Sequence, residues 1–258
     1  MRYAICYTPP VSSSLWQLGC RWLGRDALSG HPLQQPCIRG LDPATLAELT
    51  RMPGRYGFQA TLVPPFRLKD PLTETDLRAA LADFAARQSS FALPPLTITQ
   101  LEYCFCLQPI RHSTPLHTLA ARCTRAFDRF RAPLTPSELA RSKAALLSGQ
   151  EKRNLELWGN PYVFEQFRFH FILTGRMSAG RSKELVHGAL IEFLGPVLDE
   201  LLPCNGLCLF VEPVFGHPLR CLDRFPFSPP APEPSERIAH DQHLKSQDLY
   251  PGYQCHPA

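Results

Sequence analysis

Two short segments constrain the fold of this chain more than any other feature. They are Tyr56-Gly57-Phe58-Gln59-Ala60-Thr61-Leu62 and Phe167-Arg168-Phe169-His170-Phe171-Ile172-Leu173-Thr174-Gly175. Each puts an aromatic residue just before a polar one, ends in a residue that breaks a strand, and lies between two helical stretches. Side chains on a strand alternate faces, so Gln59 and Thr61 point the same way, about 7 Å apart along the chain. His170, Ile172 and Thr174 share a face by the same rule, and Arg168, two residues before His170, falls at its rim. Phe58, Ala60 and Leu62 in the first segment, and Phe169, Phe171 and Leu173 in the second, are expected to pack under helices. If the two strands lie side by side in a cleft, their polar groups converge on one small volume.

The rest of the chain supplies the helices. A short strand at Tyr3–Tyr7 leads to a helix over 14–24, with serines to cap it and Gly24 to end it. Asp42-Pro43 starts a second helix, since Asp accepts from free backbone N–H groups and Pro suits the first helical position; it is expected to run to about Thr50. Gly57–Val63 is the first of the two strands, stopped by Pro64-Pro65. Thr73–Gln88 is amphipathic, with Thr73 and Asp76 spaced as a capping box. Strand signals cover Leu96–Pro109, and a helix covers Pro115–Arg131. Ser137–Trp158 is helical with a break at Ser148-Gly149, and Val163–Thr174 is the second strand. Ser182–Leu202 is a helix with Leu185, Ala189, Phe193 and Leu201 on one side, and Leu207–Val214 is β-rich. From Ser228 the composition turns polar and Pro-rich, so residues 228–258 are expected to form a disordered tail to a domain at 1–227. The fold class is α+β: two pseudo-symmetric lobes, with antiparallel sheets lining a central cleft and helices outside.

Composition narrows the function classes. Of the 258 residues, 44% are apolar, enough for a sizeable core. No apolar run approaches the roughly 18 residues that span a bilayer, and the N-terminus lacks a signal-peptide pattern, which makes the cytoplasm the expected compartment. The ten cysteines are then expected as reduced thiols. The net charge of +4 is mild and the arginines are scattered, which suits a small anionic ligand better than an extended nucleic-acid surface. Cys204, Cys208, His217 and Cys221 can be argued as a zinc set. Their spacing is unlike a zinc knuckle, however, and Cys208 falls inside an apolar strand, so a buried thiol is the better reading. Cys104 and Cys106 share a strand face and are expected in the core. There is no P-loop, no Gly-rich dinucleotide fingerprint and no Gly-x-Ser-x-Gly turn.

Several motifs carry a closer resemblance. They are Arg2-Tyr3-Ala4, Leu15-Trp16, Tyr56 to Leu62, Pro64-Pro65-Phe66-Arg67-Leu68, Phe91-Ala92-Leu93-Pro94-Pro95-Leu96, Ala126-Phe127-Asp128, Phe130-Arg131-Ala132-Pro133-Leu134-Thr135 and Phe167-Arg168-Phe169-His170. In this order, over residues 2 to about 227, they resemble the two-histidine phosphoesterases, in particular a bacterial branch associated with phosphonate-metabolism operons. That family carries two copies of His-x-Thr/Ser-apolar. One His acts as general base and the other as general acid on a phosphodiester, the Thr hydroxyls hold phosphate oxygens, and no metal or organic cofactor is required. The resemblance therefore implies catalytic positions at His170 and Gln59, and phosphate-binding positions at Thr61, Ile172, Thr174, Arg67, Arg168 and Tyr56. It implies a small phosphorylated metabolite or nucleotide as the ligand.

The departures bear on activity. Gln59 stands where the family has its first His, Ile172 where it has the second Thr, and Val63 where Lys is usual. An amide neither gives nor takes a proton near neutral pH, and losing one acid–base group costs about 10²–10⁴-fold in rate. Three readings stay open: a phosphoesterase with altered acid–base chemistry, a degenerate homologue that binds a phosphorylated small molecule, and an interaction protein with a vestigial cleft. The sequence does not fix the oligomeric state.

Overall fold

A computed structural model describes residues 1–143 and 146–228. The tail expected at 228–258 lies, apart from Ser228, outside the described residues. Residues 1–228 form one compact unit.

The first sheet is antiparallel throughout, in the order β2 (Ala60–Phe66), β1 (Arg2–Tyr7), β8 (Gly206–Glu212), β9 (Arg220–Pro226). Every residue of β8 is buried, as befits a central strand with an unbroken apolar run. Strand β2 lies at the edge and runs on through Pro64 and Pro65 to Phe66. The sequence reading ended it at the prolines. An edge strand can carry them because one side of its backbone needs no ladder N–H, and the β1–β2 register shifts on either side of Ile5 to accommodate them.

The second sheet has the antiparallel order β4 (Leu96–Leu101), β5 (Cys104–Pro109), β6 (Phe171–Ile172). The expected strand over Leu96–Pro109 is thus a hairpin, turning at Glu102, which takes a left-handed φ of 54°. The long strand expected at Val163–Thr174 shrinks to the two residues of β6, after a 3₁₀ turn at Phe164–Gln166. A third, two-stranded pairing joins β3 (Phe91–Ala92) to β7 (Pro203–Cys204).

Some helix ends follow their capping chemistry, while Asp42, expected to cap the second helix, makes no side-chain cap bond. In α1 (Ser14–Leu23) the Ser13 hydroxyl accepts from the Trp16 N–H, and Gly24 closes the helix at φ 74°. In α3 (Glu74–Ala86) Thr73 and Asp76 form the expected capping box. The remaining helices are α4 (Thr114–Phe127), α5 (Pro136–Lys143), α6 (Gly149–Trp158) and α7 (Arg181–Leu194). The buried face of α7 carries Val186, Leu190 and Leu194, one position round from the expected face. Leu185, Ala189 and Phe193 border it, and Leu201 lies beyond the helix and exposed.

Helix α2 (Pro43–Tyr56) extends past the expected end at Thr50 and contains Pro53. Proline has no N–H to give the carbonyl four residues back. That carbonyl, on Leu49, instead accepts from the Gly175 N–H at 2.6 Å. The broken helical bond thereby anchors the end of the second motif segment to the helix that leads into the first.

Candidate active site

The two motif segments meet through their apolar faces. Phe58, just before Gln59, and Phe171, just after His170, are both fully buried and stack at 4.8 Å between centroids with 17° between planes. Phe171 also meets Phe169 and Tyr7 edge-on. Phe58 lies over Gly19 of α1, where a Cβ would come within 2.5 Å of the ring, so only glycine admits it there. The segments are not hydrogen-bonded neighbours, as strands side by side would be. They belong to the facing edges of two sheets, and β2 packs against β6.

The polar faces turn to a cavity of about 630 Å³ lined by Thr61, His170, Ile172, Arg168 and Tyr56 together with residues of other elements. This volume is in the range of small-ligand sites, about 300–1,000 Å³. Thr61 is half-buried, and its hydroxyl lies 3.0 Å from Gln59 Nε2 and 3.1 Å from Oε1, so the two side chains hold each other. Gln59 itself is only 6% exposed and sits behind Thr61. His170 is half-buried. Its Nδ1 lies 2.7 Å from the Arg168 carbonyl oxygen. A bond to that carbonyl requires Nδ1–H, which leaves Nε2 as the basic nitrogen. Burial pulls the imidazole below its ordinary value of 6.5, and the nearby Arg168 guanidinium adds to this, against the opposing effect of the Nδ1 bond. His170 is therefore neutral at pH 7, ready to accept a proton rather than to give one. Arg168 is exposed at the mouth, and Ile172, 41% exposed, presents its side chain to the cavity.

Two residues expected at the site are placed elsewhere. Thr174 is fully buried, and its hydroxyl accepts from the Phe105 N–H at 2.9 Å. The alternation that would carry it to the face of His170 stops when β6 ends at Ile172. The N–H groups of Leu173 and Thr174 then both turn to the Phe105 carbonyl. Arg67 follows the end of β2, about 20 Å along an extended chain from Thr61. Its guanidinium bonds the Pro133 carbonyl and Glu138, at the start of α5.

Other lining residues were not anticipated. Cys104 and Cys106 line the cavity from β5: Cys106 is buried as expected, with its thiol 3.3 Å from the Thr99 hydroxyl, whereas Cys104 is only half-buried. Glu102 comes from the β4–β5 turn, Glu151 from the first turn of α6, and Tyr162 from the loop after α6. The one signal for Tyr162 was the Gly159-Asn160-Pro161 turn that precedes it. Glu151 accepts from the Ser148 N–H at 2.7 Å, and its bonds to Ser148 hold its carboxyl below the usual range. Partial burial raises the Tyr162 phenol above its ordinary value, and the Glu151 and Glu102 carboxylates raise it further. Among the described residues no group of three or more His, Cys, Asp or Glu side chains is placed to hold a metal ion, the Cys204, Cys208, His217 and Cys221 set included.

Residues 61–220 match a family model described as a protein of unknown function, DUF1045. The chain belongs to that family. It is also 35% identical over 230 residues to a protein of Janthinobacterium sp. (strain Marseille) named ribose 1,5-bisphosphate phosphokinase PhnN, covering 88% of this chain and 51% of that protein. A protein of the same name from Laribacter hongkongensis (strain HLHK9) is 35% identical over 223 residues, 85% of this chain and 50% of its own length. The chain thus spans about half the length of these relatives. Among solved structures it is similar to E. coli LigT complexed with 3′-AMP, with a TM-score of 0.39 and 11% identity over 88% of this chain and 98% of that one. A likeness that distant carries no weight for the site.

Proposed function

We propose that this DUF1045 protein is a phosphoesterase of the two-histidine type that opens a small cyclic or diester phosphate without a metal, at a rate reduced by the loss of a histidine at Gln59. The observation that carries the reading is His170: neutral, fixed through Nδ1, and open to the same cavity as the Thr61 hydroxyl and the Arg168 guanidinium. In this reading Arg168 and Thr61 hold the phosphate oxygens. His170 Nε2 draws a proton from the attacking water, the role of a general base. Gln59 keeps Thr61 oriented and contributes no proton. The motif resemblance supports the reading, and with it a place in phosphonate metabolism; a cytoplasmic setting is part of the same proposal. The relatives' name points to ribose phosphates as a ligand class to test.

The test is hydrolysis of a panel of 2′,3′-cyclic nucleotides and cyclic ribose phosphates by the parent, by His170→Ala and by the Gln59→His/Ile172→Thr double variant. We expect slow turnover by the parent, a further loss of about 10²–10⁴-fold in His170→Ala, and faster turnover by the double variant. A parent that binds a cyclic phosphate calorimetrically yet turns over none of the panel would replace this reading with that of a phosphate-ligand binder.

A further inference from the structure

The wall of the cavity around His170 carries more negative charge than positive. Among the described residues that line it, the charged side chains are Arg168, Glu102 and Glu151, and His170 is neutral at pH 7. We propose that the site takes a cyclic phosphodiester with one negative charge and an uncharged body rich in hydrogen-bond donors, and that Glu102 turns away substrates carrying a second phosphate. This rests on the phosphoesterase reading above.

The single Arg168 guanidinium matches the one charge of a phosphodiester. A second phosphate would add about −1.5 to −2 at pH 7, and no other cation lines the cavity to meet it. Arg67 is bonded to the Pro133 carbonyl and to Glu138, and Arg176 lies over the Tyr103 ring at 4.4 Å. Lys152 and Arg153 follow Glu151 on α6, but side chains one and two positions apart on a helix do not share a face, and Arg153 bonds Gln150. The two carboxylates are felt throughout the space. A sphere of about 630 Å³ is about 11 Å across, close to the roughly 8–10 Å over which salt screens a charge at physiological ionic strength.

The two carboxylates differ in what they do for the fold. Glu151 caps α6 through Ser148. Glu102 has no side-chain hydrogen bond or ion pair among the described residues. Its backbone holds a left-handed φ of 54° at the β4–β5 turn, a conformation uncommon for such a side chain, and its carbonyl accepts from Gln100 Nε2 at 2.6 Å. Glycine or asparagine would suit that turn better, so a glutamate there, with its carboxylate uncommitted on a ligand cavity, points to a role toward the ligand. The rest of the wall suits a neutral body. Leu146, Tyr162 and Ile172 are exposed yet converge on the cavity, where they can cover the faces of a sugar or ring, while the carboxylates accept from its O–H or N–H groups.

The test is calorimetric binding of adenosine 2′,3′-cyclic phosphate and of the same nucleotide with an added 5′-phosphate, on a His170→Ala background so that turnover does not consume either. We expect the singly charged ligand to bind at least about tenfold more tightly, with the ratio shrinking as salt is raised. Glu102→Gln should narrow the ratio at least about threefold while leaving affinity for the singly charged ligand within about threefold, and Glu102→Lys should reverse the preference. Equal or tighter binding of the 5′-phosphorylated ligand would overturn the proposal, as would a ratio that neither Glu102 variant moves; both outcomes leave the phosphoesterase reading intact. Binding of neither ligand, together with a parent that turns over none of the cyclic phosphates, would overturn both.

Discussion

The stacked pair Phe58 and Phe171 should couple the two site segments energetically, and a double-mutant cycle measures by how much. Leu in place of Phe removes three side-chain carbons. Both rings are fully buried, so at ~0.8 kcal/mol per buried carbon each single exchange costs about 2 kcal/mol. If the rings acted independently, the double variant would lose about 5 kcal/mol. The 4.8 Å, 17° stack adds a ring–ring contribution of about 0.5–1.5 kcal/mol beyond buried area. Either single exchange removes that contribution as well, so each single variant should lose about 3–4 kcal/mol and the double variant about 5–6 kcal/mol, less than the sum of the singles by the ring–ring contribution. Leu is preferred to Ala because two Phe→Ala changes, at about 3–5 kcal/mol each, would exhaust the stability of a typical domain. Urea unfolding of the parent, Phe58→Leu, Phe171→Leu and the double variant, followed by circular dichroism, gives the four free energies. Additivity within about 0.3 kcal/mol would refute the reasoning. The segments would then be held by their separate sheets rather than by this contact.

Two further outcomes follow from other buried groups. Glu212 is fully buried between the Arg2 and Arg55 guanidinium groups and also accepts from the Gly216 N–H. Glu212→Ala leaves two largely buried cations without their counter-charge and should cost about 3–5 kcal/mol in urea unfolding; a loss under about 1 kcal/mol would show that water reaches the arginines. His170 has its folded value below the 6.5 of the unfolded chain. The unfolded chain therefore binds the proton first as pH falls. The stability His170 contributes is present above about pH 6.5 and is lost as pH drops from there through the folded value. The urea midpoint of the parent should fall more steeply from about pH 7 to about pH 5 than that of His170→Gln, and parallel curves would mean the imidazole is solvated like that of the unfolded chain.

What the sequence makes legible here is local, and what it hides is how local pieces are covered. The alternation in Phe58–Leu62 and Phe169–Leu173 correctly separates the buried side chains from Thr61, His170 and Ile172, because a period of two is fixed by the strand backbone alone. Caps at Ser13 and Thr73 are legible for the same reason: a hydroxyl finds an N–H three residues away whatever the rest of the chain does. The rule fails where tertiary bonds end the strand early. Thr174 has the right spacing for the cleft, yet the Phe105 backbone captures it. Arg67 sits in a motif, yet the length of an edge strand carries it to α5. The far wall of the cavity, with Glu102, Glu151 and Tyr162, comes from a turn, a helix start and a loop, none of which has a period to betray it. The Leu49 carbonyl shows why such features escape a linear reading. Helix α2 was expected to end at about Thr50, and Pro53 by itself would break a helix there. In the folded chain the helix continues, and the Gly175 N–H takes up the orphaned Leu49 carbonyl. The same bond sets where the second motif segment leaves its strand. A residue that looks like a fault in one element is thus the condition for placing another, and only the folded chain shows which of the two roles it plays.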